Sequence, residues 1–420
     1  MTNYAERAPR RNETVLIGFT VATNLADGVA KIALPLLAVE LTDSPGLVTG
    51  VGLTLTLPWL LASLHVGVLV DRGDRRRLAA LANLVRLAVA LVLLAAVTAE
   101  ALTLPLLYLS GVLIGLAEVV ANSAVGALVP AAVPRQRLGR ANAWIAGAET
   151  VANEFAGPAV GGLLTGVGAA FALGSSAGAF ALGAILLALL AGRFRVARPA
   201  GTATRPSGVR GEMVEGLAFL WRHRLLRTMS LTIAVLVACW SAWLALLPSY
   251  AVRTLGLDPA AYGLLLGSIG VGGLAGAVLT GPVNRLLGVR WALFLDLVGT
   301  ILMMVVPAAL PQAWAVGAAA FLGGMGGTLW TVNSRTLAQL IVPDHLLGRY
   351  SAASRLLSWG TLPVGAGLAG LLAELAGVRA AFAGFAVLAV VPVVPFLRTV
   401  TEGELSAARR ESEIDHVIPG

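Results

Sequence analysis

Asn24, Asp27 and Lys31 stand three and four residues apart inside one apolar run, a spacing that puts all three on one face of a helix. A charged side chain at the centre of a bilayer costs about 3 kcal/mol, so charges in such runs are candidates for function. Asp27 and Lys31 are spaced to pair with each other. The pair would either pin the helix as a fixed ion pair or respond to protons, protonation of Asp27 freeing Lys31. Other apolar runs hold Glu118, with Asn122 one turn on, and Glu149 with Asn153 and Glu154. Glu149 and Glu154 are separated by about 140° on a helical wheel and do not share a face. A carboxyl group in apolar surroundings can exist charged or neutral, which is the chemistry that proton coupling requires. Asp27 is the first candidate for it, followed by Glu118, Glu149 and Glu154, with Asn24, Lys31, Asn122 and Asn153 as charge partners. Arg86 and Asp296 also interrupt apolar runs, and nothing in the sequence explains Asp296.

The elements that must hold these groups follow from composition. Of 420 residues 57% are hydrophobic and 12% charged, against about 25% charged in soluble domains. The apolar residues come in stretches of about 20, the length that crosses a bilayer. Spans are predicted near 14–39, 46–70, 78–98, 104–130, 138–164, 170–192, 226–250, 260–284, 290–308, 312–334, 350–374 and 378–398. This is an all-α membrane protein of twelve transmembrane helices in two six-helix halves. The halves are 14–192 and 226–398, joined by a cytoplasmic linker at 193–225 and flanked by cytoplasmic tails at 1–13 and 399–420. With both termini inside, only Arg253 and Arg379 of the 30 Lys and Arg residues fall in outside loops, as the positive-inside rule asks. The net charge of +8 is therefore a matter of topology in a cell (plasma or inner) membrane and does not call for a nucleic-acid partner. The end of the linker, GEMVEGLAFLWRHRLLR, has the pattern of an amphipathic helix on the membrane surface.

The halves repeat each other. VPRQRLGRANAW at 133–144 aligns with VPDHLLGRYSAA at 342–353, and the same offset carries Gly67 onto Gly276, Gly161 onto Gly370 and Gly168 onto Gly377. Duplicated halves of this kind place a ligand site near the bilayer midplane between them. Glycine pairs four apart, Gly157/Gly161, Gly263/Gly267, Gly272/Gly276 and Gly323/Gly327, would let helices approach closely.

The loop after the second span, GVLVDRGDRRR at 67–77, resembles the signature loop of the major facilitator superfamily, with Gly67, Asp71, Arg72, Arg75, Arg76 and Arg77 in the family's pattern. Asp74 stands where a second glycine is usual, with Gly73 displaced by one. The resemblance implies that this aspartate and its arginines form a cytoplasmic gate. AGPAVGG at 156–162 resembles the fifth-helix motif of drug:proton antiporters through Gly157, Pro158, Gly161 and Gly162, although Asn153 replaces one of that motif's glycines. The chain as a whole is similar to twelve-helix exporters of macrolides and siderophores. In that fold helices 1, 4, 7 and 10 line the cavity. The resemblance thus implies a first-half wall carrying acids and a second-half wall of Trp240, Trp243, Met325, Trp330 and Asn333. Arg86 and Asp296 are expected at the periphery, and Arg355 beside the gate.

The phosphate-cradling pattern GxxxxGK[ST] does not occur, and Lys31 is the single lysine, so an ion gradient is the expected energy source. His65, His223, His345 and His416 are scattered, Cys239 is alone, and neither metal-site nor nucleophile spacing is found, so neither an enzyme nor a cofactor or metal is expected. The reading is a monomeric, proton-coupled secondary exporter of small amphipathic compounds that works by alternating access. An importer of a small metabolite, a lipid flippase and a non-transporting scaffold or sensor of the same fold are the alternatives.

Overall fold

The computed structural model describes residues 2–134, 137–190 and 209–405, and every element in them is helical. Much of the expected linker and of the C-terminal tail therefore lies outside the described residues. The first half contains α1 (Thr2–Leu41), α2 (Pro45–Arg72), α3 (Arg75–Thr98), α4 (Leu104–Ala132), α5 (Leu138–Glu149), α6 (Gly157–Val167) and α7 (Ala169–Ala188). A π-helical segment, Thr150–Ala156, links α5 to α6. Then follow α8 (Val209–Arg222), α9 (Arg224–Arg253), α10 (Pro259–Ala309), α11 (Ala313–Ile341), α12 (Asp344–Trp359), α13 (Leu362–Ala376), α14 (Val378–Val390) and α15 (Val393–Thr399).

Local chemistry sets the boundaries. Ser44 caps α2 by accepting from the Leu47 N–H at 3.1 Å, with Pro45 in the first turn where its missing N–H is harmless. Asp74, the departure from the family loop, caps α3 by accepting from the Arg77 N–H at 3.1 Å. Within the 51 residues of α10 the helix breaks at Gly288, whose φ of 81° suits glycine and few other residues. The break falls between the spans expected at 260–284 and 290–308. The duplicated register recurs in the backbone. Val133 and Val342 end α4 and α11 in the same extended conformation, each N–H returning to the carbonyl four residues back. Gly168 and Gly377 likewise each form the joint between two helices.

Among the described residues, ten helices are long and apolar enough to cross a membrane. Their outer faces carry apolar side chains such as Leu61, Phe171, Val278, Leu375 and Val387, all more than 60% exposed, the surface that lipid would cover. By contacts the chain divides into two compact units, 1–199 with 248–267, and 200–247 with 268–420. In the first unit α1 packs on α7, and α4 packs on α2 and α3. One apolar core gathers Leu16, Phe19, Val70 and Leu128, and a second gathers Leu34, Leu37, Val51, Leu93 and Leu107. Asn24 and Asp27 lie on α1 between these two cores, and Lys31 follows Ala30 at the edge of the second. In the second unit Leu225, Leu293, Trp330 and Phe396 form a core, and α8 lays Gly216 and Leu220 against α12, where Glu215 pairs with Arg349.

The fifth-helix glycines allow close crossing. A methyl built on Gly157 would stand 2.7 Å from the Cα of Gly28 and 2.7 Å from the Ala152 carbonyl oxygen, and one on Gly161 would meet the Val29 Cα at 3.0 Å. Gly157→Ala is therefore expected to lower stability by about 1–3 kcal/mol through overpacking. Gly178→Ala, where a methyl would meet nothing within 4 Å, should be neutral or slightly stabilising in the same thermal-unfolding measurement in detergent.

Candidate functional site

The polar band of the first unit is a connected set of bonds from four helical elements. Asp27 on α1 accepts from Arg86 on α3, Nη1 to Oδ2 at 2.5 Å, with both side chains about 3% exposed or less. The Arg86 guanidinium also lies over the Phe180 ring of α7, 5.0 Å from its centroid. One helical turn along α1, Lys31 Nζ donates to Glu118 Oε1 on α4 and to Asn153 Oδ1 in the π segment, each at 3.2 Å. Asn153 Nδ2 donates in turn to Asn24 Oδ1 at 3.1 Å, and Asn24 Nδ2 to the Thr20 carbonyl at 2.9 Å. Two acids and two bases thus balance each other. Their exposure differs: the Lys31 side chain is 40% exposed, whereas Glu118 is 6% exposed and the Asp27–Arg86 pair is sealed.

These pairings correct two expectations. Asp27 and Lys31 share a face of α1, but their short bonds go to different helices, Asp27 to Arg86 and Lys31 to Glu118. Arg86 is not peripheral: it is buried within the first unit, at 2% exposure. Its signal in the sequence was its sign and depth, because a lone arginine in the middle of a span needs an acid at the same depth. Asn153, where the antiporter motif has a glycine, ties α1 to the π segment. Pro158 helps to explain that segment. Lacking an N–H, it cannot complete the α-helical ladder, and just before it the Gly157 N–H bonds to the Ala152 carbonyl five residues back.

The remaining candidates are spread out. Asn122 lies one turn beyond Glu118 and is partly exposed, and Glu149 is partly exposed at the end of α5, outside this set of bonds. The surroundings of Gly67 and the side chains of Asp71, Arg72, Glu154 and Arg355 lie outside the described residues. In the loop at 67–77, Arg75 donates to the Ala127 carbonyl at 2.9 Å and Arg76 to the Ala188 carbonyl at 2.8 Å, near the C-terminal ends of α4 and α7. Arg77 stays on its own cap, 3.9 Å from Asp74. Glu13, which sequence reasoning did not single out, is buried and paired with Arg137 at 2.8 Å.

In the second unit Trp240 and Met325 are partly exposed, whereas Trp243, Trp330 and Asn333 are buried. Trp330 packs on Phe396 with ring centroids 6.2 Å apart, and Asn333 accepts from Asn284 Nδ2 at 2.8 Å. Of the five residues expected on the cavity wall, Trp240 and Met325 are thus the partly exposed ones. Asp296, also buried, faces α11, where a methyl on Gly326 would stand 2.6 Å from its Cα.

Bilayer-length helices with apolar outer faces, holding a balanced charge network between two apolar cores, are the build of a membrane transporter. Residues 7–415 match the family described as transmembrane secretion effectors, and the chain belongs to that family of the major facilitator superfamily, a transporter and not an enzyme. The multidrug efflux pump Tap of Mycobacterium tuberculosis (strain ATCC 25618 / H37Rv) is 30% identical over 381 residues, 87% of this chain and 88% of the pump. Tap of Mycolicibacterium fortuitum is 27% identical over 374 residues, 86% of this chain and 90% of the pump. In fold the chain is similar to a bacterial homologue of the iron transporter ferroportin, with a TM-score of 0.70 at 18% identity, covering 93% of this chain and 99% of that one. It is also similar to the nucleoside transporter NupG, with a TM-score of 0.67 at 11% identity, covering 92% of this chain and 99% of that one.

Proposed function

We propose that the protein exports small amphipathic compounds from the cell in exchange for protons. It would do so as a monomer in the plasma or inner membrane, with twelve crossings and both termini in the cytoplasm. The twelve are counted by taking α5 to α6, α12 to α13 and α14 to α15 as one crossing each and α10 as two, divided at Gly288, with α8 left out. At about 1.5 Å per residue, 51 helical residues are more than twice as long as a hydrocarbon core of ~30 Å is thick. Efflux is favoured by the multidrug pumps that share most of the chain's length.

The observation that carries proton coupling is the asymmetry of the two ion pairs. Asp27 and Arg86 are sealed together and hold α1 to α3, whereas Glu118 meets a lysine that is 40% exposed and can withdraw. When Glu118 takes a proton, Lys31 loses its acid and the network carries a net positive charge. When the proton leaves, the pair re-forms. A proton and the Lys31 ammonium therefore compete for one carboxylate, and a substrate that displaces Lys31 enters the same competition. Glu118 replaces Asp27 as the first choice for the proton site, because the Asp27 carboxylate is already held by a guanidinium that does not lose its proton. Within the second unit, Trp240 and Met325 are partly exposed and apolar, as substrate-contacting side chains would be.

The test is uptake of ethidium, a Hoechst dye and a macrolide into inside-out vesicles driven by an imposed proton gradient. Uptake of at least one compound, collapsing on addition of a protonophore, is expected. Uptake that persists with the gradient dissipated would remove proton coupling.

A further inference from the structure

Asp296 is a buried acid that the polar band of the first unit does not include. It stands in the second part of α10 at 4% exposure, flanked along the helix by Leu293 and Leu297, both wholly buried in a core of the second unit. Among the described residues no hydrogen bond or ion pair reaches its carboxylate. Acids inside spans are costly and take an opposite charge as partner, and the first unit meets that demand with Arg86 and Lys31. The cations on the elements that share the Asp296 core are placed elsewhere. Those of α9 are Arg224, Arg227 and Arg253, in its first and last turns, and that of α15 is Arg398, also in the last turn. Arg290 of α10 is committed to the Leu397 carbonyl, at 3.0 Å, and to the Trp291 ring. Arg335, the single charged residue of α11, is exposed and lies more than two turns past Gly327.

The carboxylate faces a gap. On α11 stand Gly323, Gly324, Gly326 and Gly327, and crowding demands the first three, since a methyl on them would collide with Met303, with the Ile269 carbonyl and with the Asp296 Cα. Gly327 differs. The one atom within 4 Å of a methyl built there is Asp296 Oδ1, at 3.9 Å, and the residue is partly exposed. Packing therefore does not require a glycine at this position, and the missing side chain opens a way to an acid oxygen. The same face of α11 continues with Thr331, exposed and bonded to the Gly327 carbonyl at 2.8 Å, and Ser334, partly exposed. These are side chains for a wet surface, unlike the leucine and phenylalanine of the outer faces.

The repeat supplies a ring. The offset that relates the halves carries Glu118 onto Gly327 and Lys31 onto Trp240. Where the first unit sets a lysine against a glutamate, the second has a partly exposed indole and a bare stretch of helix. A carboxylate and an aromatic face are the two groups that attract an organic cation, one by its charge and the other by its quadrupole.

We infer that Asp296 and Gly327 form a subsite for the cationic nitrogen of an amphipathic compound, with Trp240 against its apolar body. Asp296 supplies the charge and Gly327 the room. The inference rests on the transport reading for calling that compound a substrate, and it narrows the substrate class to amphipathic cations.

The test is equilibrium binding of ethidium to the full-length carrier purified in detergent, followed by fluorescence anisotropy, which needs neither a gradient nor transport. Asp296→Asn keeps the shape of the side chain and removes its charge. Gly327→Val fills the gap at a position where a methyl meets no atom but the Asp296 oxygen. With thermal unfolding near that of wild type, each variant is expected to bind ethidium at least tenfold more weakly. Wild-type affinity in either folded variant, or no binding by wild type, would overturn the subsite. Should Asp296→Asn prove unstable, Gly327→Val decides alone. Binding that depends on these residues in a carrier that moves no compound across vesicles would remove the export reading and leave the subsite standing.

Discussion

A Glu118→Gln carrier is expected to lose proton-driven accumulation by at least tenfold while still exchanging substrate across the membrane. Glutamine keeps the size and the acceptor oxygen of the side chain, and Lys31 retains its second acceptor, Asn153 Oδ1 at 3.2 Å, so the helices should stay in place. What disappears is the group that can be charged or neutral. In gradient-driven uptake the variant should fall to the level of wild type treated with a protonophore. In counterflow, where labelled and unlabelled substrate exchange without net proton movement, it should keep most of its rate. Lys31→Met should behave differently. It leaves the buried Glu118 side chain without the cation that pairs with it, and so should slow exchange as well. If Glu118→Gln accumulates substrate like wild type, the coupling proton is carried elsewhere.

The second large effect concerns the sealed pair. Arg86→Leu removes the partner of a carboxylate that is 3% exposed, and Asp27→Asn leaves a buried guanidinium that has one bond to this acid and otherwise lies on the Phe180 ring. Breaking a buried ion pair from one side costs about 3–5 kcal/mol, because an unpaired charge remains. Replacing both sides removes that charge. Thermal unfolding in detergent should therefore show each single variant strongly destabilised, and Asp27→Asn/Arg86→Leu closer to wild type than the sum of the two. Strict additivity would mean that the two groups do not depend on each other, whatever the distance between them.

That the chain is a membrane protein of apolar helices was legible because a bilayer imposes a length and a hydropathy that soluble folds do not share. Even the break at Gly288 within α10 could be read, since Asn284, Arg285 and Arg290 interrupt the apolar run there. Asp27, Glu118 and Lys31 stood out for the same reason. Which of them pair did not. Helical periodicity says that Asp27 and Lys31 share a face, yet a face is broad and touches several helices, and a single sequence does not say which neighbour supplies the opposite charge. Arg86 and Glu118 each stand next to one member of the α1 pair, and together they draw it apart. Asn153 read as a departure from a motif because its role depends on the π segment, which turns the side chain by a fraction of a turn that α-helical counting does not provide. Trp330 and Asn333 were ambiguous for the converse reason. An apolar or amide side chain in a span satisfies a cavity and a core equally well, and only packing against Phe396 and Asn284 decides. The loop arginines were expected at a gate, and those whose bonds are described reach carbonyls near the ends of α4 and α7.

The most direct measurement places a pH-sensitive dye inside reconstituted vesicles and follows proton movement as substrate flows down its own gradient, in wild type and in Glu118→Gln. Wild type should move protons opposite to the substrate, and Glu118→Gln should move substrate with no proton signal. Substrate flow without proton movement in wild type, or an undiminished proton signal in Glu118→Gln, would contradict an exchange centred on Glu118 and Lys31.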